Sequence, residues 1–166
     1  MNYNILAQGY NELYKEEQIE KLAFIQQKIQ IKKSDLLLDI GCGTGISTTY
    51  FQCESIGIDP SFEMIQQGKE NLILGRAEAL PFKDHSFDII LSVTALHNFS
   101  NYKKAFHEMK RVLKKKGKII LTLLKQSKNC DKIKKFLLDQ IPFTLYSLEK
   151  DLVLIYPSHE DEDTPF

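Results

Sequence analysis

The stretch that most constrains the fold is Leu36-Leu37-Leu38-Asp39-Ile40-Gly41-Cys42-Gly43-Thr44-Gly45. A short apolar run meets an acid and then three glycines on alternate positions. The run has the length of a buried parallel strand, and the glycines end it. Glycine admits φ > 0 and lets a ligand approach the main chain closely. Ile46 to Phe51 can then start a helix whose first N–H groups are free. Strand, glycine turn and helix predict the first half of a nucleotide-binding α/β unit.

The rest of the chain continues the alternation. Ile19, Leu22, Ala23, Phe24, Ile25 and Ile29 predict a helix over 18–31 with a broad apolar face. A strand over 36–40 and a helix over 45–52 follow. Ser55–Asp59 reads as a second strand, which Pro60 stops, and Ser61 caps a helix to about Gly68. Residues 72–75 and 87–92 read as strands three and four. Ser100 is placed to cap a helix with Tyr102, Ala105, Phe106, Met109, Val112 and Leu113 at a 3.6 period. Lys118–Leu124 reads as strand five, and residues 131–140 as a helix. Residues 143–148 and 152–156 form a final pair of strands about Glu149-Lys150. Alternation predicts a parallel sheet, and a closing hairpin requires an antiparallel strand. The expected class is α/β: a doubly wound, seven-stranded, mostly parallel sheet with an antiparallel closing strand.

The 166 residues suffice for one domain. We expect it over 1–158, with 159–166 an acidic tail. Tyr3, Leu6, Tyr10 and Leu13 keep a helical spacing within an N-terminal segment, 1–16. Cys42, Cys53 and Cys130 lack C-x-x-C spacing, which points to a reducing compartment and to no thiolate metal site. No apolar run reaches about 18 residues and the N-terminus lacks a secretory pattern, so a cytoplasmic protein without a membrane partner is expected. Net charge is zero, yet residues 103–135 hold thirteen basic residues against two acidic ones. Lys114-Lys115-Lys116 read as a solvated turn. Lys125, Lys128, Lys132, Lys134 and Lys135 are open to two readings, a solvated face or an approach for RNA phosphates.

The string DIGCGTG resembles the first motif of class I S-adenosylmethionine-dependent methyltransferases. Its third glycine comes one residue earlier than in the dinucleotide G-x-G-x-x-G. GIDPS, around Asp59 and Pro60, resembles the family's second motif. An acid about twenty residues beyond the first turn suits ribose hydroxyls. Arg76-Ala77-Glu78-Ala79-Leu80-Pro81-Phe82 resembles its D-A-E-x-L-P-F segment, with Arg76 where the family has an acid. Ser86-Phe87-Asp88 to Ser92 is similar to its fourth strand, Asp88 reading as structural. Ala95-Leu96-His97-Asn98 is similar to A-x-L-H-H. Ala7 to Asn11 resembles the A-x-x-Y-D segment of ubiquinone-biosynthesis-type members.

The resemblance implies S-adenosylmethionine as cofactor. It places Asp39, Gly41, Cys42, Gly43 and Gly45 at the first turn, and Asp59 with Pro60 at the ribose. The adenine falls to the Ala77 backbone, with Glu78 substituting for the missing acid. Ser92 ends strand four beside the ligand, and Tyr10 lies over the cofactor. His97 stands near the methionine end, as a base or a positioning group. The implied activity is methyl transfer to an unidentified acceptor, RNA or a small molecule. The alternative is a non-catalytic cofactor-binding subunit completed by a partner chain. The family includes tRNA wobble-uridine methyltransferases that work with a small zinc-ribbon activator, so a partner of that kind is expected. A nicotinamide-binding module is disfavoured by the glycine spacing and the closing hairpin. After strand four there is neither a D/N-P-P-Y/F run nor a Pro-Cys nucleophile, which excludes those nucleic-acid base methylases.

Overall fold

The computed structural model describes residues 15–68 and 71–157. Its elements are α1 (Lys15–Lys28), β1 (Leu36–Ile40), β2 (Glu54–Asp59), α2 (Phe62–Gln67) and β3 (Leu72–Leu74). Next come β4 (Phe87–Ser92), a 3₁₀ turn (Leu96–Asn98), α3 (Tyr102–Val112) and β5 (Leu113–Leu124). The fold closes with α4 (Cys130–Gln140), β6 (Thr144–Ser147) and β7 (Asp151–Tyr156).

Strand side chains alternate between faces, and the core divides accordingly. Leu38, Ile40, Ile90, Ile119 and Leu121 pack with Phe106 and Met109 of α3 and with Ile133 and Leu137 of α4. Leu37, Ile89, Leu91 and Ile120 pack on the opposite side with Leu22 and Ile25 of α1. Helices on both faces make the sheet doubly wound. Strand order is β3-β2-β1-β4-β5-β7-β6. The first five are parallel, and β7 runs antiparallel between β5 and β6. The seven-stranded, mostly parallel architecture expected from the sequence is therefore the one observed.

Besides residues 45–52, described below, three details differ from the expectations. Ile19 is exposed, and the buried side of α1 includes Gln18 and Lys21 instead. Asn101, not Ser100, caps α3, its Oδ1 accepting from the Lys104 N–H at 3.0 Å. β5 begins at Leu113, but regular pairing with β4 starts at Lys118. Lys114–Gly117 lie between those paired positions, with Lys115 and Lys116 exposed. Lys114 pairs with Asp88 at 2.8 Å. Asp88 also accepts from the Leu36 N–H at 3.0 Å, so it fastens the N-terminal edge of the sheet.

Candidate functional site

The glycine turn is built from the backbone outward. Gly41, Gly43 and Gly45 have φ of 75°, 56° and 84°, values costly to a side-chain-bearing residue. The N–H groups of Gly41 and Cys42 both donate to the Ile58 carbonyl, at 2.8 and 3.2 Å. The Gly43 N–H donates to Asp59 Oδ2 at 2.9 Å. Backbone and carboxylate thus fasten the turn to β2.

Residues 45–52 do not form the expected helix; they make a series of turns. The Thr49 N–H reaches the Gly45 carbonyl at 3.2 Å, but the Tyr50 N–H goes to Ser47. The cause is Asp39. Wholly buried, it accepts hydroxyl bonds from Ser47 and Thr48 at 2.7 Å each. A buried carboxylate needs such donors, and hydroxyl-bearing residues are weak helix formers. Burial raises the Asp39 pKa to about 6, against the two hydroxyls and with help from the charge of Asp59. Asp39 Oδ1 has no hydrogen-bond partner among the described residues. Burial also drives the Cys42 thiol far up, leaving it neutral and unreactive.

Asp59 ends β2 without capping α2. That cap is Ser61, whose Oγ accepts from the Met64 N–H at 3.3 Å. The Asp59 carboxylate accepts from the N–H groups of Gly43 and Ser61, both at 2.9 Å. Burial raises its pKa, and those two N–H groups oppose the rise. Each oxygen keeps a lone pair for a further donor.

A cavity of about 190 Å³ opens beside these groups, lined by Gly41, Ile58, Pro60, Arg76, Ala77, Glu78, Asn98, Phe99 and Ser100. It lies outside the carboxyl ends of the strands, where β1 is flanked by β2 and β4; this is the switch point at which open α/β sheets bind ligands. Glu78 accepts from the Asn101 N–H at 3.1 Å and lies 3.6 Å from Arg76 Nε. Burial alone would raise its pKa, but the Asn101 N–H and the Arg76 charge hold it below the ordinary value. Arg76 also hydrogen-bonds Ser100. Ser92 is fully buried and donates to the Ile40 carbonyl at 2.8 Å, joining β4 to β1 beneath the turn. Tyr10, with most of the N-terminal segment, and the acidic tail lie outside the described residues.

His97 occupies the 3₁₀ turn. Its pKa is lowered by burial; Asp151 raises it and Lys21 lowers it further. Its Nδ1 is buried with no partner among the described residues. Around it stands a polar assembly that the sequence reading missed. Lys21 and Asp151 form a buried ion pair at 2.8 Å. Lys21 also donates to Thr94 Oγ1 at 2.9 Å, and the Thr94 N–H donates to Thr122 Oγ1 at 2.7 Å. The available signal was the spacing of Gln18, Lys21, Ile25 and Ile29, which puts a lysine on the inward side of α1. A larger cavity, about 300 Å³, lies between α1 and the β6–β7 turn. It is bridged by the Glu17–Lys150 pair and holds none of the glycine-turn residues.

No helix among the described residues is long and apolar enough to cross a membrane. The family model described as a methyltransferase domain matches residues 38–121. The uncharacterized methyltransferase YcgJ of Bacillus subtilis is 36% identical over 127 residues, covering 66% of this chain and 50% of its own. A Thermotoga maritima structure, described as a SAM-dependent methyltransferase and possible histamine N-methyltransferase, aligns with a TM-score of 0.72 at 21% identity. It covers 92% of this chain and 96% of that one. The methyltransferase solved with the Haloferax volcanii Trm112 methyltransferase activator aligns with a TM-score of 0.66 at 21% identity, over 74% of this chain and 60% of that one. At those identities the two structures speak for the fold. The chain spans about half the length of the curated relatives it matches. The matched segment runs from β1 into β5 and holds the glycine turn, Asp59 and the cavity lining, and on that match the chain belongs to the methyltransferase-domain family.

Proposed function

We propose that this domain moves a methyl group from S-adenosylmethionine to an acceptor held over the carboxyl ends of β4 and β5. The observation that carries the reading is the cavity at the switch point, walled by the glycine turn and adjoining Asp59. Its residues fit the cofactor. Ile58, Pro60 and Phe99 offer apolar walls to a flat base. Asp59 retains acceptor capacity for ribose hydroxyls and would repel a 2′-phosphate. Ala77 and Glu78 line the adenine side, and Asp39 with its unpartnered oxygen lies behind the turn. The turn from Gly41 through Cys42 and Gly43 to Gly45 lets the main chain approach the ligand closely. Ser92 supports it from below, and Tyr10 is the residue we assign to cover it.

The cofactor supplies a methyl group already activated on a sulfonium. The residues therefore align donor and acceptor and exclude water, and an essential base is not required. His97 faces the acceptor in this reading, as a positioning group that can also take a proton. The acceptor is RNA or a small molecule. The Haloferax fold neighbour, solved with Trm112, supports a small zinc-ribbon activator as partner.

Calorimetric titration with S-adenosylmethionine and with NAD tests the cofactor. Radiolabelled methyl transfer to cell extract, with and without a co-expressed zinc-ribbon subunit, tests the reaction. Digesting the labelled extract with RNase or protease then identifies the acceptor class. Cofactor binding without transfer in either arm would assign the chain the non-catalytic role beside a partner.

A further inference from the structure

Thr94 lies two residues beyond β4 with φ +54°. A β-branched residue in that region is a genuine outlier, and such strain persists only where surrounding structure enforces it. Here the enforcement comes from three separate elements. Thr122 of β5 accepts the Thr94 N–H at 2.7 Å, and the two hydroxyls lie 3.1 Å apart. Lys21 of α1 donates to the Thr94 hydroxyl at 2.9 Å. Asp151, the first residue of β7, neutralises Lys21 at 2.8 Å and takes a longer bond from the Thr94 hydroxyl at 3.4 Å.

The residues after Thr94 form a wall of the cofactor cavity. Ala95 packs against Gly41 so closely that a Cβ on Gly41 would lie 2.4 Å from its own. His97 follows, and Asn98 and Phe99 line the cavity. A buried ion pair rarely adds net stability over apolar packing, but it can fix one geometry.

We propose that Lys21 and Asp151 are positioning residues of the cofactor site: their pair locks the strained Thr94 turn and, through it, the Ala95–Phe99 wall that carries His97. Both lie outside the segment that matches the family model, 38–121. The inference rests on the cofactor reading above. It adds that the site is completed by α1 and by the antiparallel strand.

The test measures S-adenosylhomocysteine affinity by calorimetry, alongside thermal melting, in K21M, T94G, K21M/T94G and K21M/D151L. K21M should weaken binding about tenfold, the scale of indirect coupling through a packed network. In the T94G background, where glycine holds φ +54° without a lock, the same K21M change should cost less than about twofold, a non-additivity expected of residues acting in one network. K21M/D151L replaces the pair by apolar side chains and keeps the fold if K21M alone does not; its affinity should also fall. The His97 ring ¹⁵N signals should respond to S-adenosylhomocysteine differently in K21M/D151L and in wild type. Wild-type affinity in folded K21M or K21M/D151L overturns the inference, as does an equal loss from K21M in both Thr94 backgrounds. A wild-type protein that binds no S-adenosylhomocysteine overturns the cofactor reading, and this inference with it.

Discussion

Asp39 is a carboxylate taken wholly out of water and served by two hydroxyls instead of a cation. Its pKa, raised to about 6 by burial, makes the neutral acid the form that folding favours. The stability it contributes is complete below the ordinary aspartate range and is lost as pH rises through 6. The pKa difference corresponds to roughly 2 kcal/mol between pH 4 and pH 7. Asp39→Asn should therefore show a flatter stability profile than wild type over that interval, with the gain at pH 7, measured by urea unfolding at each pH. Asp59 sits differently, half open and bonded to two N–H groups. Asp59→Ala should weaken S-adenosylmethionine binding by about 1.5–3 kcal/mol, the loss of hydrogen bonds to a charged group, and lower stability by about 1–3 kcal/mol through the freed Gly43 and Ser61 N–H groups without unfolding the chain. Wild-type affinity in that variant would remove the ribose assignment.

Among the elements, the glycine turn is tightly constrained. Gly41→Ala would force a Cβ to within 2.4 Å of Ala95 Cβ at a φ of +75°. Strain and overpacking together should cost about 2–4 kcal/mol. Ala95→Gly in the same chain should restore part of it, as read by chemical denaturation. The β3–β4 loop is held from α3 by Arg111, which donates to the carbonyls of Leu80 at 3.0 Å and Phe82 at 2.8 Å and pairs with Glu108 and Asp84. Arg111→Ala should lower stability by about 1–3 kcal/mol without changing cofactor affinity, since none of these bonds faces the cavity. The strands and α3 were legible in the sequence because alternation and a 3.6 period are local patterns. Residues 45–52 were not, because their hydroxyls answer to a carboxylate on the neighbouring strand instead of to the helix ladder. Lys21 and Asp151 were hidden for the same reason: each explains the other, and 151 − 21 = 130 positions of sequence separate them. The glycine turn, Asp59 and the cavity residues Ala77 and Glu78 were visible because their spacing is carried in short strings.

On the scale of the whole molecule, the glycine turn, Asp59 and the cavity beside them lie at one end of the sheet and the basic bulge of β5 at the other. His97→Ala should lower turnover more than cofactor affinity, whereas Lys115→Glu should change neither. Comparable losses from both, in a radiolabelled transfer assay, would place the acceptor across the bulge instead. The direction of β7 has a further consequence. Because it runs against its neighbour, Asp151 lies beside Leu124 at the strands' carboxyl ends. During synthesis the glycine turn and Asp59 leave the ribosome long before that carboxylate does. A nascent chain can form the parallel strands yet still hold an unneutralised Lys21 against the Thr94 turn. On the positioning role proposed for that pair, the wall beside the glycine turn is locked only once β7 has docked against β5.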